Sequence, residues 1–249
     1  MFKIIARSLL IATLAAGSAL ADVQPGAADN TAKSADAAAK KTIHAKFPES
    51  SLLDINKLPY GNLYEVVADG EAIFYTDDKA SFIFHGSLFD GKTQRNLTEL
   101  KMRELTKAQF DKLPFDSAIK VVKGNGKRVL AVFSDVDCPF CKRLEDELAK
   151  VSDVTVYTFL YPIDSLHPKA AQKSKTIWCA PDRAKAWNDL LMKGIEPKNA
   201  GACDNPVAKN VELGAKLGVS GTPTLFFADG RRVPGAIPAE KLEKYLNGK

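Results

Sequence analysis

Cys138-Pro139-Phe140-Cys141 is the stretch of this chain best equipped for chemistry. Two thiols three residues apart can attack, hold and release a disulfide. An apolar run, Val129-Leu130-Ala131-Val132-Phe133, precedes them, and a helical pattern opens at Pro139. Unpaired N–H groups and the positive dipole end of a helix favour an anion at that point. The thiolate of Cys138 is such an anion, so its pKa is expected to fall. Pro139 suits a first helical position, where no N–H is needed. Cys138 then sits at the cap, accessible to a partner, with Cys141 one turn further in. In thiol–disulfide exchange Cys138 attacks a disulfide, forms a mixed disulfide, and Cys141 resolves it.

Two blander readings of the motif stay open. It is a small structural bridge, or it is half of a zinc site. Zinc asks for four ligands, usually from a second pair at similar spacing. The only histidines are His44, His85 and His167, far apart and each read as a surface or packed residue. Lys142 and Arg143 either add positive potential beside the thiolate or are solvated helix charges, and the second reading is adopted. Asp135 and Asp137 either assist proton transfer or serve a turn, and the turn is adopted. Late in the chain, Gly221-Thr222-Pro223-Thr224 opens a β-rich run. A proline there suits an edge strand or a cis bond.

The elements that must position these residues follow from pattern. The chain has 249 residues, of which 45% are hydrophobic and 26% charged, which excludes fibrous and wholly disordered classes. The formal charge of +5 is mild for this length, and basic residues form no long block, so a nucleic-acid partner is not expected. Residues 1–21 pair Lys3 and Arg7 with an apolar run and end in Ala19-Leu20-Ala21, the pattern of a cleaved secretory signal. Its removal takes the charge from +5 to +3 and delivers the four cysteines to a compartment where disulfides persist. Residues 22–35 read as a flexible lead-in, followed by a short helix over 37–47. Strands are expected at Leu63–Val67, Ala72–Thr76 and Ser81–Gly86, with turns at Asp69-Gly70 and Asp77-Asp78. A block this small has a marginal core of its own, which points to self-association.

Asn96 and Glu99 mark the start of a helix that Pro114 stops. Its apolar stripe is weak, so it reads as a solvent-bridging linker. Beyond Ile119, the buried strand, the Pro139–Lys150 helix and a strand at Val154–Phe159 make a β-α-β unit with a parallel pair. A helical stretch covers His167–Leu217. A hairpin at Thr224–Pro234 and a helix at Ala239–Leu246 complete the chain.

This order resembles the periplasmic thiol:disulfide interchange proteins of the DsbC/DsbG family. The sharpest matches are Phe133-Ser134-Asp135-Val136-Asp137-Cys138-Pro139-Phe140-Cys141, Ile177-Trp178-Cys179-Ala180, Leu217-Gly218-Val219-Ser220-Gly221-Thr222-Pro223 and Val233-Pro234-Gly235. The resemblance implies an α+β architecture: a thioredoxin-fold catalytic domain with a helical insertion over 119–249. A linker helix over 94–118 joins it to a small β-rich, cystatin-like dimerisation domain over 36–93. It implies a V-shaped homodimer, misfolded disulfide-containing secreted proteins as substrates, chaperone activity and the membrane reductase DsbD as electron donor. No cofactor or metal is called for. Pro223 becomes the cis-proline loop facing Cys138, with Thr222 beside the cysteines and an exposed backbone that pairs with extended substrate. Cys179 and Cys203 become the structural disulfide of the DsbC branch. Closing that loop of about 25 residues is worth roughly 3–4 kcal/mol by chain entropy. Two separate buried thiols are the alternative.

The chain departs from the DsbC pattern between the active cysteines, where Gly-Tyr is common and Pro139-Phe140 stands here. Proline followed by an aromatic is closer to DsbG, and this pair tunes reduction potential. The second cysteine pair and Trp178-Cys179-Ala180 favour the DsbC branch. The expected function is a periplasmic protein disulfide isomerase and reductase. The rivals are a DsbG-like reductase of oxidised single cysteines, a monomeric dithiol oxidase, and a non-enzymatic chaperone or metal-binding module.

Overall fold

The computed structural model describes residues 25–48, 53–69 and 72–249. The expected signal segment lies outside the described residues, as does Gly70 of the Asp69-Gly70 turn. Among the described residues, no helix is long and apolar enough to cross a membrane.

The N-terminal unit pairs a helix, α1 (Pro25–Lys46), with three antiparallel strands, β1 (Leu53–Lys57), β2 (Leu63–Ala68) and β3 (Ala72–Asp77), in spatial order 1-2-3. Ala39 and Ile43 of α1 pack on Ile55, Val66 and Phe74 of the sheet. Residues 25–35 belong to this helix instead of forming a flexible lead-in. The segment holds four alanines, the best helix former, and has a proline at its first position. β1 is not among the expected strands, because Asp54, Asn56 and Lys57 are poor strand formers and pairing with β2 holds them.

The expected strand over Ser81–Gly86 is a single bridge, Tyr75 to Phe84. The Thr76 hydroxyl takes the Phe82 carbonyl, and Asp77 accepts the Ser81 N–H at 2.7 Å. Side chains thus occupy the backbone groups that a ladder would need. Phe82, Ile83, Phe84 and Phe89 are left exposed, at 47%, 51%, 46% and 57%.

The helix α2 (Leu97–Phe110) starts as expected, with Asn96 accepting the Glu99 N–H at 3.0 Å. It is not solvated throughout. Thr106 and Phe110 are buried, and Phe110 and Leu113 join a core with Ala131, Phe133 and Phe226. Gly230 lies so close that a Cβ there would sit 1.9 Å from the Arg103 carbonyl oxygen. The buried side chains of the helix, Thr106 and Phe110, stand one turn apart on a single face.

The C-terminal unit is a five-stranded sheet, ordered β4 (Ile119–Lys123), β6 (Val154–Leu160), β5 (Arg128–Ser134), β7 (Thr224–Phe227) and β8 (Arg232–Pro234). β5 and β6 are parallel and every other pair is antiparallel. Alternation along β5 serves two cores. Leu130 and Val132 face helices α3 (Pro139–Leu148) and α7 (Ala239–Leu246), while Ala131 and Phe133 face the α2 side. Between β6 and β7 stand α4 (Ala170–Trp178), α5 (Arg183–Lys193) and α6 (Val207–Lys216), with Ile177, Trp178, Trp187 and Leu190 at the centre of a third core.

Candidate active site

Strand β5 ends at Ser134, and four residues later Cys138 caps α3 with extended backbone angles and Pro139 in the first turn. The Cys138 carbonyl accepts the N–H groups of Cys141 and Lys142 at 3.1 and 3.2 Å, which starts the helix. Both cysteines carry free thiols; Cys138 is 5% exposed and Cys141 fully buried. Phe140 between them projects outward with the Arg143 guanidinium over its ring. The cavity beside Cys138, about 240 Å³, is lined by Asp137, Lys142, Lys173 and Leu190 among others.

The loop before β7 meets the first thiol. Thr222-Pro223 is a cis peptide bond, and the Cys138 Sγ lies 3.3 Å from the Thr222 carbonyl oxygen. Pro223 is fastened from behind, its carbonyl accepting the Gly235 N–H at 2.7 Å. Cys138, Cys141, Thr222 and Pro223, far apart in the chain, therefore stand together. Cys179 and Cys203 form a disulfide with a Cα–Cα distance of 5.7 Å. It ties the end of α4 to the segment leading into α6.

The two thiols are electrostatically unequal. Hydrogen bonding from Cys141 pulls the Cys138 pKa down to about 5, against the opposing effect of burial and helped by Thr222 and the N–H groups of Cys141 and Phe140. Burial pushes the Cys141 thiol far up, and its hydrogen bond to Cys138 adds to this. Cys138, buried here where the sequence predicts an accessible thiol, is the better thiolate at neutral pH, and the inner thiol is held protonated.

A buried carboxylate organises the turn. Asp135 is fully buried, and its carboxylate accepts the N–H groups of Asp137 at 2.9 Å and Ile163 at 2.8 Å, with His167 Nδ1 at 2.9 Å. The turn role expected of Asp135 is visible in the Asp137 bond. His167 is neither a plain surface nor a plain packed histidine, since its Nδ1 meets the buried Asp135 carboxylate at 2.9 Å. A separation of 32 positions hides that pair from any local motif. Asp137 meets Lys173 of α4 at 2.6 Å. Further along α3, Glu145 accepts the Trp187 indole N–H at 2.9 Å, and burial raises its pKa. Sequence reasoning missed Glu145, whose one visible signal is a charged residue one turn beyond Cys141 on the same helix. Among the described residues, His, Cys, Asp and Glu form no group of three or more placed to hold a metal ion.

Comparisons with known proteins agree with this geometry. Residues 115–248 match the family model of a thioredoxin-like domain, and residues 30–99 match that of the disulfide bond isomerase protein N-terminal domain. A probable thiol:disulfide interchange protein DsbC of Bordetella parapertussis is 41% identical over 232 residues, covering 91% of this chain and 81% of the relative. The thiol:disulfide interchange protein DsbC of Escherichia coli is 29% identical over 222 residues, covering 87% and 89%. A crystal structure of a disulfide interchange protein from Neisseria gonorrhoeae superposes with a TM-score of 0.53 at 54% identity, covering 55% of this chain and 97% of that one. With its thioredoxin-like sheet, its isomerase-type N-terminal unit and a pair of unequal thiols at a helix start, the chain belongs to the DsbC family of thiol:disulfide interchange enzymes.

Proposed function

We propose that Cys138 is the nucleophile and Cys141 the resolving thiol of a disulfide isomerase that repairs wrongly paired secreted proteins. The observation that carries this is Cys138 capping α3 with its Sγ 3.3 Å from the Thr222 carbonyl, while Cys141 is sealed one turn below. The Cys138 thiolate attacks one sulfur of a substrate disulfide. That S–S bond breaks, a mixed disulfide forms, and the electron pair leaves on the second substrate sulfur. In isomerisation, another substrate thiolate attacks the mixed disulfide and releases Cys138 unchanged. In reduction, Cys141 attacks instead, leaving a Cys138–Cys141 disulfide and a reduced substrate. A dithiol donor, the membrane reductase DsbD in this reading, then returns two electrons. Thr222 and Pro223 present backbone to the substrate segment next to the attacked sulfur. Pro139-Phe140 supports a share of DsbG-like reductase activity beside isomerisation.

Residues 1–21 support export to the periplasm through a cleaved signal. The exposed Phe82, Ile83, Phe84 and Phe89 support a homodimer joined through the N-terminal unit. A cleft between two such protomers holds non-native chains by apolar contact, which is the basis for chaperone activity. The test is refolding of a scrambled multi-disulfide protein. Cys138→Ala abolishes reactivation, and Cys141→Ala accumulates a mixed disulfide with the substrate on a non-reducing gel. Reactivation that survives Cys138→Ala undiminished refutes the assignment.

A further inference from the structure

We propose that His167, anchored on the buried carboxylate of Asp135, is a positioning residue for Cys138: it locks the turn that carries both cysteines and sets a cation against the nucleophile. Both thiols hang on the Asp135 backbone. The Asp135 carbonyl accepts the Cys138 N–H at 3.2 Å, and the Asp135 N–H reaches the Cys141 Sγ at 3.4 Å. The Asp135 side chain has no access to water, so its charge is tolerable only with donors and a cation in contact. His167 is that cation, brought in by the segment after β6, and its own side chain is 22% exposed and open to solvent protons. His167 Nδ1 touches Asp135 at 2.9 Å, and the charges of Cys138 and Asp137 also act on the imidazole. Lys173 of α4 is 2.6 Å from Asp137 and offsets that carboxylate.

The consequence is a thiolate whose basicity follows the charge on His167. Its hydrogen bond to Asp135 raises the His167 pKa above the ordinary 6.5, with the Asp135, Cys138 and Asp137 charges adding to it. The cation is therefore present below the unfolded value and is lost as pH rises through the folded one. While present it holds the thiolate less basic. Once lost, the thiolate becomes a stronger nucleophile, and the rate of its attack rises about two- to threefold for a half to one unit of basicity.

The inference rests on Cys138 as the nucleophile, and the experiment separates the two. Reduced full-length protein is treated with iodoacetamide across pH, and mass spectrometry locates the label. The parent gives a main step from thiolate formation and a smaller second rise as His167 loses its proton. His167→Asn keeps an N–H donor for Asp135 and removes the cation. Its main step moves up by about half to one pH unit and the second rise disappears. His167→Lys keeps a cation, so the main step returns toward the parent position with no second rise near neutrality. A parent curve with one step, an Asn curve that coincides with the parent, or a second rise surviving in either variant overturns the proposal. Should circular dichroism show the Asn variant unfolded, the Lys curve decides alone by presence or absence of the second rise. Label landing elsewhere than Cys138 refutes the nucleophile assignment, and the positioning role falls with it.

Discussion

Removing the Cys179–Cys203 bridge tests how the helical insertion is held. The cysteines are separated by 24 positions, and the chain entropy that a cross-link of that loop withholds from the unfolded state is worth about 3.5 kcal/mol. Packing contributes little against this, because Cys203 is exposed and serine replaces sulfur with nearly the same shape. The Cys203 N–H also loses the Cys179 Sγ it meets at 3.2 Å, a weak acceptor that water replaces. The double variant Cys179→Ser/Cys203→Ser is therefore expected to lose about 3–4 kcal/mol. For a unit of roughly 130 residues that is a fall of about 13 °C in Tm. The assay is urea unfolding without reductant, read by the fluorescence of Trp178 and Trp187, which lie in the core next to the bridge. The urea dependence should steepen as well, since an untethered chain exposes more surface when unfolded. A double variant within about 1 kcal/mol of the parent at unchanged slope refutes the tether reasoning.

Three further outcomes are expected. Glu145 has its pKa raised by burial above 4.5, so folded stability declines as pH rises from 4.5 through the raised value. Glu145→Gln removes that decline, so the change in urea midpoint between parent and variant should favour the variant more at roughly pH 7 than at roughly pH 4. Gly230→Ala forces a Cβ onto the Arg103 carbonyl at a φ of +84°, which costs about 1–3 kcal/mol and loosens α2 from the hairpin. Limited proteolysis within residues 94–118 should accelerate, and an unchanged cleavage rate contradicts the packing described. The pair Phe82→Glu/Ile83→Glu places charge on the exposed apolar segment and should give a monomer by light scattering, whereas a retained dimer removes that segment from the interface.

Much of the architecture was legible because local rules and tertiary packing agree. Asn96 with Glu99 marks the start of α2, Val129–Phe133 reads as a buried strand, and Pro139 opens α3 where Cys138 can cap it. Those are contacts within a few residues, so residue type and spacing carry them. The disagreements arise where distant groups compete. Ser81–Gly86 is strand-like in composition, yet Thr76 and Asp77 claim its backbone groups. The α2 stripe is weak over the whole helix, yet Thr106 and Phe110 are buried, and the turn after β7 closes on the Arg103 backbone at Gly230.

The candidate active site divides the same way. By itself the amino-acid sequence determined that one cysteine heads a helix and that a second lies one turn inside, because helix geometry is local. Only the tertiary structure decided that Thr222 would reach Cys138 across 84 positions, that Asp135 would meet His167 across 32, and that Glu145 would meet Trp187 across 42. The physical reason is that a thiol's acidity depends on which charges and dipoles surround it and how dry they are. Those neighbours come from separate elements of the chain, and packing around the sheet brings them together.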